Sequence, residues 1–251
     1  MAQTSAPSTV TAPTTDARTQ ARTEALRLWE LRADEKQLPA IIKALEQWVA
    51  LDPTNAEPLV LLSRGTYVWT YLHESGSEAQ RMAVAQKGYE AGKKAARLKP
   101  ADPAGDFWAA TNLAVYGKLK GPLESASSYS ELRERVDRAL AKQPDYFYGG
   151  IYRFYGRLID QVPGVLRSMY GYGLKDAVDY HQQAVKTEPR YIQSYLFLAE
   201  ALIQQAKRSE AQQLLESALK RDPSALPEIM PENKLVLKQI RRVLQTEFKK
   251  G

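Results

Sequence analysis

Apolar and polar positions along this 251-residue chain recur with helical spacing, and no stretch gives convincing period-two alternation. The pattern predicts eleven helices, at about 21–34, 38–51, 56–73, 78–98, 104–119, 129–142, 146–160, 174–187, 191–206, 208–221 and 232–249, and no sheet. Five similar endings punctuate them: Ala50-Leu51-Asp52-Pro53, Arg97-Leu98-Lys99-Pro100, Ala141-Lys142-Gln143-Pro144, Lys186-Thr187-Glu188-Pro189 and Lys220-Arg221-Asp222-Pro223. Proline has no N–H and its ring clashes inside a helix, so each one stops a helix and can start the next. The five prolines stand 47, 44, 45 and 34 residues apart.

Paired helices repeating every ~34 residues are the signature of tetratricopeptide repeats. The last interval fits best. Counting from Ile192, the repeat's bulky and small positions carry Tyr195, Leu198, Ala199 and Leu202, then Ala211, Leu215, Ala218 and Pro223. The unit before it places Ala177, His181, Ala184 and Pro189 in the same register, which makes His181 a packing residue. Small residues let helices approach, and bulky ones fill the space between. Earlier units match more loosely, and before Pro53 the small-residue rule fails. The expectation is an all-α, tetratricopeptide-like solenoid of about five helical hairpins. Its last helix, with Val236, Ile240, Val243 and Leu244 on one side and Lys234, Lys238, Arg241 and Arg242 around the other, is a solvating cap. The three longer units each hold 10 to 13 extra residues, near 70–82, 116–128 and 160–173. The first reads equally as helix lengthening. The other two, with Gly117, Gly121-Pro122, Pro163-Gly164, Gly171 and Gly173, read as loops, and repeated insertions along one edge often mark a binding region.

Composition divides the chain into a flexible leader, 1–20, and one helical domain, 21–251. Fourteen of the first 20 residues are Thr, Ser, Ala or Pro, too little apolar surface to offset the entropy of ordering. The start Met1-Ala2-Gln3-Thr4 reads as a Met placed ahead of a mature exported protein, so the periplasm is expected, with the cytoplasm as alternative. The net charge of +6 is dispersed at helical spacing, which predicts solvated helix faces and no nucleic-acid partner. With no cysteine and two histidines, thiol and multi-histidine metal chemistry are excluded. Gly117-Lys118-Leu119 lacks the flanks of a nucleotide loop, Gly171-Tyr172-Gly173 runs into Asp176 and follows no strand, and no Gly-x-Ser-x-Gly elbow exists. The expectation is a non-enzymatic protein with no cofactor.

The unusual segment is 146–172, which holds six of the chain's 14 tyrosines. Gly149, Gly150 and Gly156 inside a predicted helix, at about 1 kcal/mol each, suggest close helix contact or a pocket wall. Arg153 and Arg157 could meet a carboxylate; plain aromatic packing with solvated arginines is the alternative. If positions 2, 5, 9 and 12 of each first helix face inward, the groove is lined by Glu57, Val60, Arg64 and Tyr67, by Ala104, Phe107, Thr111 and Ala114, and by Tyr148, Ile151, Tyr155 and Leu158. Such an apolar wall calls for an apolar ligand, a partner helix or a neighbouring subunit.

From about residue 80 to 245 the chain resembles the TatT family, the T component associated with tripartite ATP-independent periplasmic (TRAP) transporters. The matching stretches are Lys87-Gly88-Tyr89-Glu90-Ala91-Gly92, Phe107-Trp108-Ala109-Ala110-Thr111-Asn112-Leu113, the run Pro144 to Gly156, Val162-Pro163-Gly164 and Pro231-Glu232-Asn233. The resemblance implies a helical protein that pairs with a periplasmic solute-binding protein and takes a small organic acid. Members are often lipoproteins held by an N-terminal cysteine; none stands in this sequence, which is expected either of a member whose anchor has been removed or of a soluble one. The expected ligand or partner surface is Tyr67, Phe107, Thr111, Tyr148, Tyr152, Arg153 and Tyr155, with Arg153 meeting the acid; its replacement by Ala is expected to weaken acid binding without unfolding. A homo-oligomer is a further expectation. The rival reading is a general cell-envelope scaffold that binds another protein through the same groove without solute.

Overall fold

The computed structural model describes residues 14–162 and 164–248. Thirteen α-helices and no strand occur among them: α1 (Thr15–Trp29), α2 (Leu38–Leu51), α3 (Ala56–Tyr67), α4 (Glu78–Leu98), α5 (Pro103–Lys120), α6 (Pro122–Ser127), α7 (Tyr129–Lys142), α8 (Tyr146–Asp160), α9 (Gly164–Met169), α10 (Leu174–Thr187), α11 (Ile192–Gln204), α12 (Arg208–Leu219) and α13 (Met230–Phe248). All eleven expected helices form. The first starts six residues early, because Thr14 caps it by accepting from the Ala17 N–H and Asp16 complements the dipole of the first turn. The leader assigned to 1–20 is therefore helical from Thr15; residues 1–13 lie outside the described residues. The two insertions expected as loops each hold a short helix, α6 and α9. The first insertion lengthens α3 instead, as a π-helical turn at Val68–His73 that ends on Glu74 in the left-handed region.

The hairpins pack as small-residue geometry dictates. Helix α4 presents Ala85, Gly88, Ala91, Gly92 and Ala95 on its buried stripe against α5, which is buried on nearly every side. One hydrophobic core joins α1–α4 to α10–α13, and a second forms around α5, α7 and α8.

The last helix is more than a cap. Pro231, Glu232, Asn233, Leu235, Val236, Leu237 and Ile240 are all buried, and only Lys234 and Lys238 along that stretch are exposed. Gln239 Nε2 donates to the Tyr71 and Leu72 carbonyls at 3.3 Å. The Glu232 carboxylate accepts from Arg32 Nε at 3.0 Å and from Arg64, while Arg32 reaches the Glu228 carbonyl and His73 the Arg32 carbonyl at 3.0 Å. The C-terminal helix thus closes onto the first hairpins, where the sequence reading left an open stack.

Candidate functional site

Between the two cores lies a cavity of about 380 Å³. Its inner wall is aromatic: Tyr67 and Tyr71 stack at 5.0 Å, Trp108 meets Tyr67 at 5.8 Å, and Phe107, Phe147 and Phe197 complete it. The most exposed lining residues are Lys118, Pro122, Ala126, Gln161 and Tyr170. All sit on the second and third insertions, so those segments form the mouth. Tyr129 and Tyr170 stack across it at 4.0 Å. Helix α6 turns Pro122, Ser125 and Ala126 inward and leaves Leu123 86% exposed. Val165 and Met169 on α9 are also exposed, so both insertions that border the cavity carry apolar side chains in water.

The wall contributed by α8 depends on an irregular turn. Phe147, Tyr148 and Gly149 have φ of 49°, 59° and 75°, three successive left-handed residues. Glycine takes that conformation freely; for the two aromatic residues it costs roughly 1–2 kcal/mol each. Arg153 holds the turn. Its Nη1 donates to the Tyr148 carbonyl and to Ser194 Oγ at 3.3 Å, its Nη2 to the Phe147 carbonyl at 2.7 Å, and its guanidinium lies 3.8 Å from the Tyr191 ring centre. Tyr148 stacks on Tyr191 at 5.6 Å and its hydroxyl donates to Glu228.

This turn shifts the helical register. The α8 residues on the cavity are Phe147, Gly150, Arg153, Phe154, Arg157 and Leu158; of the series Tyr148, Ile151, Tyr155 and Leu158, only Leu158 is among them. Of the expected surface, Tyr67, Phe107, Thr111 and Arg153 line the cavity. Tyr148 lies instead on a separate shallow groove with Arg64, Tyr146 and Glu188. Tyr155 is buried, stacked on Tyr180 at 5.1 Å, with its hydroxyl donating to Asp137. Tyr152 lines neither hollow. Arg153 is a correction of role: its guanidinium is engaged by the chain's own carbonyls and does not stand free for an acid. Tyr71, Trp108 and Phe197 line the cavity without having been expected there, although Trp108 lies within the stretch Phe107 to Leu113.

The electrostatics of the wall follow from burial. Arg157 Nη1 lies 2.7 Å from Glu200 Oε2 and 3.4 Å from Asp160 Oδ1, and its Nη2 donates to the Tyr71 hydroxyl at 3.2 Å. Burial pushes the Tyr71 hydroxyl up to about 12. It also raises the Glu200 carboxyl above the usual carboxylate range, although Arg157 opposes this. Behind this wall His181 is fully buried, with Nε2 2.9 Å from Asp160 Oδ2. Burial lowers its pKa despite Asp160, which keeps the imidazole neutral. Its register position as a packing residue is observed. No group of three or more His, Cys, Asp or Glu side chains among the described residues is arranged to hold a metal ion.

Gly156 explains how α10 comes so close. A Cβ built on it would stand 2.3 Å from His181 Cε1. Gly156→Ala is therefore expected to destabilise the fold by about 2 kcal/mol, read as a lower urea midpoint at unchanged slope. Gly164→Ala, where the nearest atom is 3.5 Å away, is the neutral control.

A family of tetratricopeptide repeats matches residues 174–229, the region from α10 to the approach to α13. Among solved structures, the thermophilic tetratricopeptide protein TTC0263 of Thermus thermophilus is similar at 15% identity and a TM-score of 0.64, over 88% of this chain and 100% of that one. MamA of Desulfovibrio magneticus RS-1 is similar at 16% identity and 0.49, over 84% and 98%. Yeast Tom70 is similar at 14% identity and 0.49, over 94% and 42%. No curated protein matches the sequence. The repeat match and the Thermus structure establish the fold as a tetratricopeptide-like α-solenoid.

Proposed function

We propose that this chain is a non-enzymatic binding protein of the TatT kind, which receives a small organic acid in the aromatic cavity and docks a periplasmic solute-binding protein over the mouth. The observation that carries the reading is the cavity itself: about 380 Å³, within the range of small-ligand sites, apolar inside and bordered by the two insertions. The exposed Leu123, Val165 and Met169 on the two bordering insertions favour a partner on that side, since apolar side chains are released from water on docking. The repeat solenoid supports protein–protein contact in general, and the resemblance supplies the particular partner.

Native mass spectrometry after gentle purification tests the ligand. The wild type is expected to carry a small acid. Thr111→Phe, which fills the cavity from a wall residue of α5, is expected to lose it while keeping its helical circular dichroism. A protein that arrives free of small molecules but bound to a polypeptide favours the scaffold reading instead.

A further inference from the structure

We infer that the acid is an amphiphile, an alkyl or aryl tail ending in one carboxylate, which enters tail first and leaves its head at Lys118 in the mouth. This rests on the cavity reading above and adds its orientation and chemical class. Three cationic side chains and no carboxylate line the cavity: Lys118, Arg153 and Arg157. Arg153 is bound to the Phe147 and Tyr148 carbonyls and is 4% exposed. Arg157 is bound to Glu200, Asp160 and the Tyr71 hydroxyl.

Lys118 differs from both. It is exposed, it lies at the mouth, and it makes no ion pair among the described residues. Glu200, the acid whose charged form Lys118 favours, is already held by Arg157 at 2.7 Å. Asp160 and Glu200 both pair with Arg157, and Arg153 is spent on backbone carbonyls, so the one lining cation with neither an ion pair nor a hydrogen bond among the described residues is Lys118, at the entrance. The deep wall of Phe107, Trp108, Tyr67 and Phe197 offers a carboxylate little but the Tyr67 hydroxyl, which accepts from Gln193 at 2.9 Å. A charged head in that depth would go unpaired at high cost. At the mouth it would face an unpaired ammonium and water, while the tail covers aromatic surface.

Calorimetry with octanoate and 1-octanol tests this on the full chain. The wild type is expected to bind octanoate about five-fold more tightly than octanol, the worth of one part-exposed ion pair. The preference is expected to vanish in Lys118→Gln, to reverse in Lys118→Glu, and to shrink as salt rises. Octanol affinity is expected to stay unchanged in Lys118→Gln. Equal affinities for the two compounds, or an octanoate preference that survives Lys118→Gln, would overturn the orientation and leave the cavity reading standing. If neither compound binds the wild type, or Thr111→Phe binds both as well as the wild type does, the cavity reading fails instead.

Discussion

Replacing Glu232 with Gln is expected to remove about 4 kcal/mol of stability, a loss read as a large drop in the urea midpoint at neutral pH. The carboxylate is 4% exposed and Arg32 beside it 1%. Removing one partner of a buried pair strands the other, at roughly 3–5 kcal/mol. Here two guanidiniums are stranded, because Arg64 shares the same oxygen. Burial alone would raise the Glu232 carboxyl, but Arg64 and Arg32 outweigh it and hold the group below its ordinary value. The pH dependence follows. A carboxyl depressed in the folded state stabilises fully above its unfolded pKa, and that contribution fades as pH falls through the folded value. His181, lowered by burial, acts in the same direction: below its unfolded pKa the unfolded chain takes up the proton that the folded chain refuses. Wild-type stability is therefore expected to decline steadily below about pH 6.5, and Glu232→Gln is expected to lose less over the acid part of that range. Parallel decline in both proteins would refute the assignment to Glu232.

Arg153→Met should cost about 3 kcal/mol. Two charge-assisted bonds to half-buried carbonyls are lost, worth roughly 1.5–3 kcal/mol each. The desolvation of the guanidinium is recovered, which offsets part of this, while the left-handed turn at Phe147–Gly149 loses its brace. At roughly 2–4 °C per kcal/mol for a chain of this size, melting should fall by about 6–12 °C. Arg153→Lys should behave nearly as badly, because an ammonium cannot reach both carbonyls as a planar fork does. A variant that melts like the wild type and fails only to bind acid would restore the ligand role first expected of this residue.

The helices were legible because their ends are chemically marked. Prolines stop them, Asn55, Ser77 and Asp102 cap them, and small residues recur where neighbours must approach. The mouth was legible too, since the surplus over the repeat length fell at 116–128 and 160–173, the segments that now rim the cavity. The α8 wall was not. Register counting assumes right-handed turns, and nothing in Tyr146-Phe147-Tyr148 announces left-handed backbone; the one signal was the Gly149-Gly150 pair, read as a pocket wall. The closing role of α13 was hidden for another reason. Glu232 reads as an ordinary first-turn acid, and its partners Arg32 and Arg64 stand 200 and 168 residues away.

That closure changes how the molecule should come apart. An open array of repeats can fray from either terminus, each unit leaning only on the next. Here the final rod is tied by one buried ionic knot to the bend after the first rod and to the third, so its end cannot peel away without stranding charge at the other. Denaturation is expected to be a single concerted event, and clipping off the last rod should loosen the opposite end of the chain as much as its own.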